Sequence, residues 1–379
     1  MCEVFTQNDV QVKLLHPFRF NTPAMKQVQD IWSYYGVEDR FKMVKLFALD
    51  LPALKRLSQR LWFFVRALSY SFSVIVYLLF QKLKRGPFTV YSRDKISVLM
   101  ISRLKWILRV KIFYEIHDFP ESRTRTVIDR YRRLDGLIVI TEHLKRLYTE
   151  AGIETEKILV APDGVDLKRF GSGGNKSKVR HELGLPVEQK IIGYTGHLFP
   201  WKGVYTLADS AQYLQDSMMM IVGGTPEDFK RFEAVVKGKG HNNILLIGHV
   251  PPHSVPLYLV ACDVLVLPNS AKYRISQYYT SPLKLFEYMA AKRPIVASDL
   301  PSIREILQDG VNAILVAPDD PRALADGIKR LLDDDCLAEC VSDRALEKVQ
   351  KYTWQRRAEF ILRYIRDVGP GSLAGPQIS

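Results

Sequence analysis

The feature that most restricts what this chain can fold into is an alternation. Five short apolar runs, "MVKLFAL" (43–49), "FTVYSR" (88–93), "KIFYEIH" (111–117), "GLIVIT" (136–141) and "KILVAP" (157–162), are each punctuated by turn residues and separated by helical patterns. Strands that alternate with helices pair in parallel, because a parallel neighbour is reached only through a crossover. At "GSGGNKSK" (171–178) all periodicity stops, as expected of a linker. Six more runs then follow: "KIIGYTG" (190–196), "MMMIVGG" (218–224), "NILLIGHV" (243–250), "DVLVLP" (263–268), "PIVASD" (294–299) and "AILVAP" (313–318). The pattern predicts an α/β chain of two Rossmann-like domains in series, 1–170 and 179–351, joined by the linker 171–178. A helix over 352–368 and a disordered tail, 369–379, complete it. No repeat at a solenoid period is present. Doubly wound domains bind ligands at the C-terminal edges of their strands, so a cleft between the two is the expected site.

Charge is unevenly spread along this frame. The net charge is +13, and residues 1–170 hold 29 Lys and Arg against 18 Asp and Glu. Residues 51–111 carry thirteen basic residues and one acid, Asp94. Such a field attracts polyanions or anionic lipid. Nucleic acid is not expected as a partner, since no helix-turn-helix, RNP or zinc signature accompanies the charge. Inside the basic stretch lies "LWFFVRALSYSFSVIVYLLF" (61–80), followed by Lys82, Lys84 and Arg85. Its length just reaches that of a membrane span. Three readings compete: a span, which would split a Rossmann-like domain between two strands; a buried fold helix; and a helix that also docks on the bilayer surface through its apolar side.

Four cysteines, Cys2, Cys262, Cys336 and Cys340, are too few and too scattered for a disulfide framework, and read as reduced thiols. Cys336 and Cys340 lack His or Cys partners at metal-binding spacing, so no metal is expected. The acidic run 333–335 reads as a solvated charge run. No signal peptide is expected from the mixed polar and apolar first fifteen residues, and the expected location is cytoplasmic, peripheral to the inner face of the membrane.

Two loops carry chemistry. "GYTGHLFPWKG" (193–203) leaves a strand, passes two glycines and reaches Lys202 before a helix. Glycines admit close backbone approach, and a lysine beside a helix start suits a phosphate or diphosphate. The loop lacks the Lys-Ser/Thr of a Walker A motif, and by itself reads equally as a Gly-rich turn. "YYTSPLKLFEYMAAKRPIVASDLPSIREIL" (278–307) reads as a helix capped by Ser281 with Pro282 first, a buried strand and a second helix. The amides of Leu283 and Lys284 then face an anion. Leu285, Phe286, Met289 and Ala290 form the buried stripe, with Glu287 at its margin. Glu287 either accepts hydroxyl hydrogen bonds, as from a ribose, or pairs with a core arginine.

"GHLFPWKG" and "SPLKLFEYMAAKRPIVASDLPSIREIL" resemble the donor-site motifs of family-four glycosyltransferases of the GT-B fold. "YEIHDFP", "GLIVITEHLKRLY" and "APDGVDLKRF" are similar to other landmarks of that family, in the same order, and the resemblance covers residues 88–365. It implies two Rossmann-like domains facing a cleft, with the helix 352–368 crossing back to the first. It also implies a retaining transfer from a nucleotide-diphosphate sugar. Carried over by position, Lys202 neutralises the diphosphate, the Leu283 and Lys284 amides hold the phosphates, and Glu287 binds the ribose. Gly248 and Val250 meet the base through backbone groups, Gly196 and His197 line the loop, and His117 approaches the transferred sugar. The implied catalytic set is therefore His117, Lys202 and Glu287, with neither metal nor cofactor.

Two positions depart from the family. The family's Glu-x7-Glu motif ends at Glu287, and its first acid falls on Tyr279, so the sugar side is expected to be rebuilt from Tyr279, Thr280 and Ser281. His197 stands where many members carry arginine. The basic, amphipathic first domain suits an acceptor carried on a lipid phosphate or diphosphate, a surface that a soluble glycan acceptor would not need, and the acceptor is expected to be lipid-linked or a glycan. Alternatives are a non-catalytic subunit that binds nucleotide and membrane, and an epimerase or phosphorylase of the same fold.

Overall fold

The computed structural model describes residues 1–20, 23–26, 28–38, 40–85, 87–120, 124–171 and 174–368. They form two compact units, Met1–Ala161 with the chain from Ala358 onward, and Pro162–Arg357. The expected tail 369–379 and residues 172–173 of the expected linker lie outside the described residues.

In the first unit, β1 (Lys13–Pro17) and β2 (Lys42–Leu46) form a two-stranded parallel sheet. β3 (Thr89–Ser92), β4 (Lys111–Ile116), β5 (Gly136–Val139) and β6 (Ile158–Val160) form a four-stranded parallel sheet in chain order. β1 was not anticipated, because "KLLHP" is polar at both ends and closes on a proline. The chain returns to this unit within the helix Trp354–Asp367. There Tyr364 stacks edge-on to Phe113 at 5.6 Å. It also lies over Gly136, where a Cβ would come within 2.3 Å of the Tyr364 hydroxyl. Between β2 and β3 runs a helix of 27 residues, Gln59–Arg85. One side of it is buried through Ser71, Val74, Ile75 and Leu78.

The second unit contains all six expected strands: β7 (Lys190–Thr195), β8 (Ser217–Val222), β9 (Ile244–Ile247), β10 (Val264–Leu267), β11 (Ile295–Ser298) and β12 (Ile314–Val316). Their spatial order is β12-β11-β10-β7-β8-β9, all parallel. The order reverses at β7, whose two neighbours are β8 and β10. Crossovers on the two sides of such a reversal leave on opposite faces and open a crevice at the strand C-termini. One face is packed by Phe286, Met289 and Leu259, the other by Val204, Leu207 and Ile328.

The boundaries differ from those read in the sequence. Residues 162–170 belong to the second unit: Val165 N donates to Tyr352 O at 2.9 Å, Asp163 N donates to Ser281 Oγ at 3.1 Å, and Phe170 joins its core. The segment 176–178 is not linker but the first turn of the helix Lys176–Glu182, capped by Asn175 accepting from Lys178 N at 3.2 Å. At the far end Arg357 Nε donates to Pro162 O at 2.9 Å, which keeps the start of the last helix with the second unit.

Arg180 of that capped helix is 2% exposed and ties the N-terminal edge of the sheet together. Its guanidinium meets Asp263 Oδ2 at 2.6 Å and donates to the carbonyls of Ala261, Val187 and Gln189 at 2.8, 2.7 and 2.9 Å. Asp263 also accepts from Ile191 N and Lys176 Nζ, each at 2.7 Å. Burial alone would raise the Asp263 pKa, but the Lys176 and Ile191 hydrogen bonds and the Arg180 charge outweigh it and hold it below the usual aspartate value. Removing one partner of a buried ion pair leaves the other uncompensated and typically costs about 3–5 kcal/mol. Arg180→Met is therefore expected to lower the urea midpoint sharply, as read by circular dichroism. A depressed carboxyl stabilises the fold above its unfolded pKa, and that contribution is lost as pH falls through the folded value. The stability gap between wild type and variant should accordingly narrow on acidification below about pH 4. A gap that ignores pH would show that Asp263 is not the partner that matters.

Candidate functional site

The crevice at the β7/β10 reversal is closed by backbone packed on backbone. After Thr195 the chain turns at Gly196, with φ of 129°, and reaches Gly203, with φ of 72°. A Cβ at Gly203 would fall 1.6 Å from the Pro268 carbonyl oxygen, so no side chain fits there. Ser270 N donates to Trp201 O at 3.1 Å, joining the loop after β10 to the loop after β7. On the other side Gly223 N donates to the carbonyls of Ile247 and Gly248 at 2.9 and 3.2 Å. Gly196, Gly203 and Gly248 thus belong to one layer of loops along the strand ends.

Into this layer the sequence places cations. Lys202 ends the 3-10 turn Pro200–Lys202, with Nζ 3.9 Å from the centre of the Trp201 ring. Burial pushes its pKa down to about 8. His197 stacks on Phe199 at 4.9 Å, and burial and then the Lys202 charge lower its pKa. Lys284, the second residue of the helix Leu283–Ala290, is 7% exposed, and its Nζ lies 3.6 Å from the centre of the Tyr194 ring. Burial, then the charge of Lys202, drive its pKa well below the ordinary lysine value, against the pull of Glu287. Expectation had assigned only the backbone amide of Lys284 to the site. The signal for its side chain was present in "PLKLFEY", a lysine enclosed by apolar neighbours three residues before the acid.

Glu287 lines a cleft of about 150 Å³ with Arg169, Asp166, Leu283, Pro252 and Trp354. Burial raises its carboxyl to about 7, and the charges of Lys284 and Arg169 pull the other way. The pairing with a core arginine that sequence left open is not formed, because Glu287 makes no ion pair among the described residues. Arg169 was missed in sequence. It lies on the short helix Leu167–Phe170, which the wrong domain boundary had put elsewhere.

Several expected roles change. Ser281 does not cap the helix. Pro282, with φ −69° and ψ 117°, takes the cap position, and the Ser281 hydroxyl accepts the Asp163 amide instead. The buried stripe of Leu285, Phe286, Met289 and Ala290 is as expected, but Tyr288 is buried too and accepts a hydrogen bond from Thr195 N at 2.9 Å. Tyr279, Thr280 and Ser281 are all buried. Val250 packs its side chain against the core. In the first unit His117 follows β4, and its Nε2 lies 2.9 Å from Glu115 Oε1. Buried Glu115 also meets Arg93 at 2.5 Å, so the imidazole is oriented by an acid that the sequence reading overlooked. Among the described residues no three His, Cys, Asp or Glu side chains gather as a metal set.

Residues 189–334 match the family model "Glycosyl transferases group 1". A Bacillus subtilis (strain 168) glycosyltransferase, assigned provisionally to teichuronic acid biosynthesis, is 31% identical over half of this chain and 46% of its own length. A D-inositol 3-phosphate glycosyltransferase of Corynebacterium urealyticum is 26% identical over 69% of this chain and 63% of its own. The matches therefore span less than two thirds of either relative. Anabaena Alr3699/HepE in complex with UDP and glucose superposes with a TM-score of 0.73 at 18% identity, covering 96% and 95% of the two chains. Sucrose-phosphate synthase from Thermosynechococcus elongatus gives 0.74 at 20%, covering 98% and 92%. The chain has the GT-B fold. The family-four resemblance read from its motifs is found again in these matches.

A carboxyl raised by burial binds its proton more tightly folded than unfolded, so stability falls as pH rises from the unfolded value, about 4.3, to the folded one. Glu287→Gln should remove that slope. In ligand-free protein the difference in melting temperature between variant and wild type is expected to grow in favour of the variant from pH 4.5 to 7, then level off. A pH-independent difference in differential scanning fluorimetry would place Glu287 in a wetter setting than its cleft provides.

Proposed function

We propose that this chain is a retaining, metal-independent glycosyltransferase that moves a sugar from a nucleoside-diphosphate sugar to a lipid-linked acceptor or glycan, in the synthesis of a cell-surface polysaccharide or glycoconjugate. The observation that carries the reading is the convergence, at one strand-order reversal, of a glycine layer, Lys202 and the cleft acid Glu287. A structural neighbour, Anabaena Alr3699/HepE, was solved with UDP and glucose and with UDP-glucose, which is consistent with such a donor.

The transfer itself needs no carboxylate nucleophile. The acceptor oxygen attacks the anomeric carbon on the face from which the diphosphate departs. The C–O bond to the diphosphate breaks, the new C–O bond forms on the same face, and the acceptor proton passes to a diphosphate oxygen. Lys202 and the N-terminus of the helix Leu283–Ala290 stabilise the charge that develops on the leaving group. Glu287 accepts hydrogen bonds from the ribose hydroxyls. Lys202→Ala should cut transfer by roughly 10²–10³, with excess chelator leaving the wild-type rate unchanged. The assay is radiolabelled sugar transfer from a panel of nucleoside-diphosphate sugars to detergent-solubilised polyprenyl diphosphates. Full activity in the alanine variant, or a loss in chelator restored by Mn²⁺, would overturn the site or the mechanism respectively.

The acceptor class brings in the membrane. Gln59–Leu83 of the helix Gln59–Arg85 is long and apolar enough by length and composition to cross a bilayer, and little of it is buried in the fold. Leu61, Phe64, Leu68, Phe72, Leu79 and Leu83 are exposed and recur at helical spacing along one side. Lys82 Nζ donates to the Ile107 carbonyl, which sets the end of this helix beside Trp106, 77% exposed. Around Trp106 an open pocket is lined by Arg103, Arg109, Lys111 and Arg133. An apolar stripe, an exposed Trp and adjoining cations suit peripheral docking on the cytoplasmic leaflet. Each basic residue near an anionic surface contributes about 1 kcal/mol, a contribution that fades with salt. Arg103→Glu with Arg109→Glu should weaken sedimentation with anionic vesicles at low salt, and high salt should release the wild type. Binding that ignores both salt and lipid charge would remove the docking surface from the proposal.

A further inference from the structure

One side chain in the second unit is left without an account by the roles given so far. Lys284 is 7% exposed, and its Nζ has no hydrogen-bond partner among the described residues. The groups around it do little to compensate. Beneath it is the face of Tyr194, whose hydroxyl is already donated to His197 O at 2.6 Å. Glu287, one turn further along the helix, attracts it but makes no ion pair with it. Lys202 repels it. A cation–π contact offers on the order of 2 kcal/mol when desolvated, against a burial cost of several kcal/mol for an unpaired ammonium. A lysine in this position, between an aromatic floor and a second lysine, is destabilising unless something anionic arrives.

The geometry shows where that anion sits. A Cβ built on Gly196 would lie 3.3 Å from Lys284 Nζ and 3.5 Å from its Cε. The ammonium therefore points to the glycine turn at the end of β7, the side of the layer that Lys202 also serves. The helix Leu283–Ala290 begins one residue earlier, so its N-terminal dipole adds to the same field. We propose that the Lys284 side chain is a direct ligand of the donor's diphosphate. It supplies from the helix a second cation beside Lys202. This inference rests on the nucleotide-diphosphate reading above and deepens it.

The test is isothermal titration calorimetry with UDP, GDP and ADP and with the matching nucleosides, on wild type and Lys284→Met, a swap of similar length without charge. For the diphosphate that wild type binds, the variant should lose roughly ten- to a hundredfold in affinity, the size of a hydrogen bond to a charged group, while nucleoside binding stays unchanged. Without ligand the variant should melt at the wild-type temperature or above it, since it loses a buried unpaired charge, whereas the ligand-induced rise in melting temperature should shrink. Lys284→Gln serves as the second variant if the methionine does not fold. Equal diphosphate affinity in wild type and a folded variant would overturn the inference and leave the donor reading intact. Equal losses for nucleoside and diphosphate, or a lower melting temperature without ligand, would make Lys284 a structural residue and overturn it too. If wild type binds none of the three diphosphates, the donor reading falls first and this inference with it.

Discussion

The arrangement of the second unit depends on one close contact, the Gly203 backbone seated on the carbonyl of Pro268. A strand-order reversal leaves β7 and β10 side by side with their crossovers diverging, and the gap between their loops has to be filled. Here it is filled by main chain. The approach at Gly203 is too near for any Cβ, and the Ser270–Trp201 hydrogen bond fixes the two loops in register. Because the loop is held at that point, the turn Pro200–Lys202 has one course over the strand ends. Lys202 then stands over the crevice and not in solvent. A similar economy applies further back on β7, where a Cβ at Gly193 would meet the Cys262 sulfur at 2.2 Å. The strand that carries the site is thus packed on its neighbours without the bulk of side chains at two levels.

The same pair of strands shows how stability and function divide along a parallel sheet. At the N-terminal end, Asp263 and Ile191 are tied to Arg180 by a set in which carboxylate and guanidinium are both well supplied with partners. At the C-terminal end, Lys202 and Lys284 stand together with their pKa values lowered, and the acid Glu287 has its own raised. Burial works against the charged form of each of these groups. The first set stabilises the folded unit by itself. On the proposed reading, the second would gain its partners from a ligand that brings negative charge to the lysines and hydroxyls to the acid. Ligand binding is then also a gain in fold stability, by mass action on the native state.

Much of this was legible in the residues. All six strands of the second unit are apolar runs closed by turn residues, and the buried stripe of the helix Leu283–Ala290 follows from its 3.6-residue spacing. What escaped was set by tertiary contacts with no local signature. Ser281 followed by proline has the local grammar of a cap, but the hydroxyl is claimed by the Asp163 amide, more than a hundred residues earlier in the chain. The Gly-rich segment after residue 170 looked like the joint between domains. The chain has in fact entered the second unit by Pro162, since Val165 pairs with Tyr352 and Thr353 near the far end of the sequence. β1 has too little apolar character to stand out, and it is stabilised by a single neighbour and by Tyr70, whose hydroxyl donates to Leu15 O at 2.9 Å.

The helix Gln59–Arg85 illustrates the limit of pattern most clearly. Its apolar residues run nearly all round, so periodicity cannot tell a core helix from a surface helix or a span. Sparse polar bonds decide what one side is doing. Ser71 Oγ meets Ser97 Oγ at 2.9 Å in a buried contact, Leu49 N donates to Ser69 Oγ at 2.9 Å, and Lys13 Nζ donates to Gln81 Oε1 at 2.7 Å. With the Tyr70 bond to β1, these tie the helix to the first unit along much of its length. A bilayer-spanning helix would have to surrender each of them, leaving hydroxyls and main-chain groups to find partners in hydrocarbon, where each unsatisfied group costs several kcal/mol. A helix lying in the interface keeps all of them: Leu61, Phe64, Leu68, Phe72, Leu79 and Leu83 are exposed along one side, although Phe63 and Phe80 are also exposed, near the faces that carry Tyr70 and Ser69. The polar bonds therefore argue against a spanning helix, and the exposed residues Leu61, Phe64, Leu68, Phe72, Leu79 and Leu83 are the surface on which the proposed docking rests.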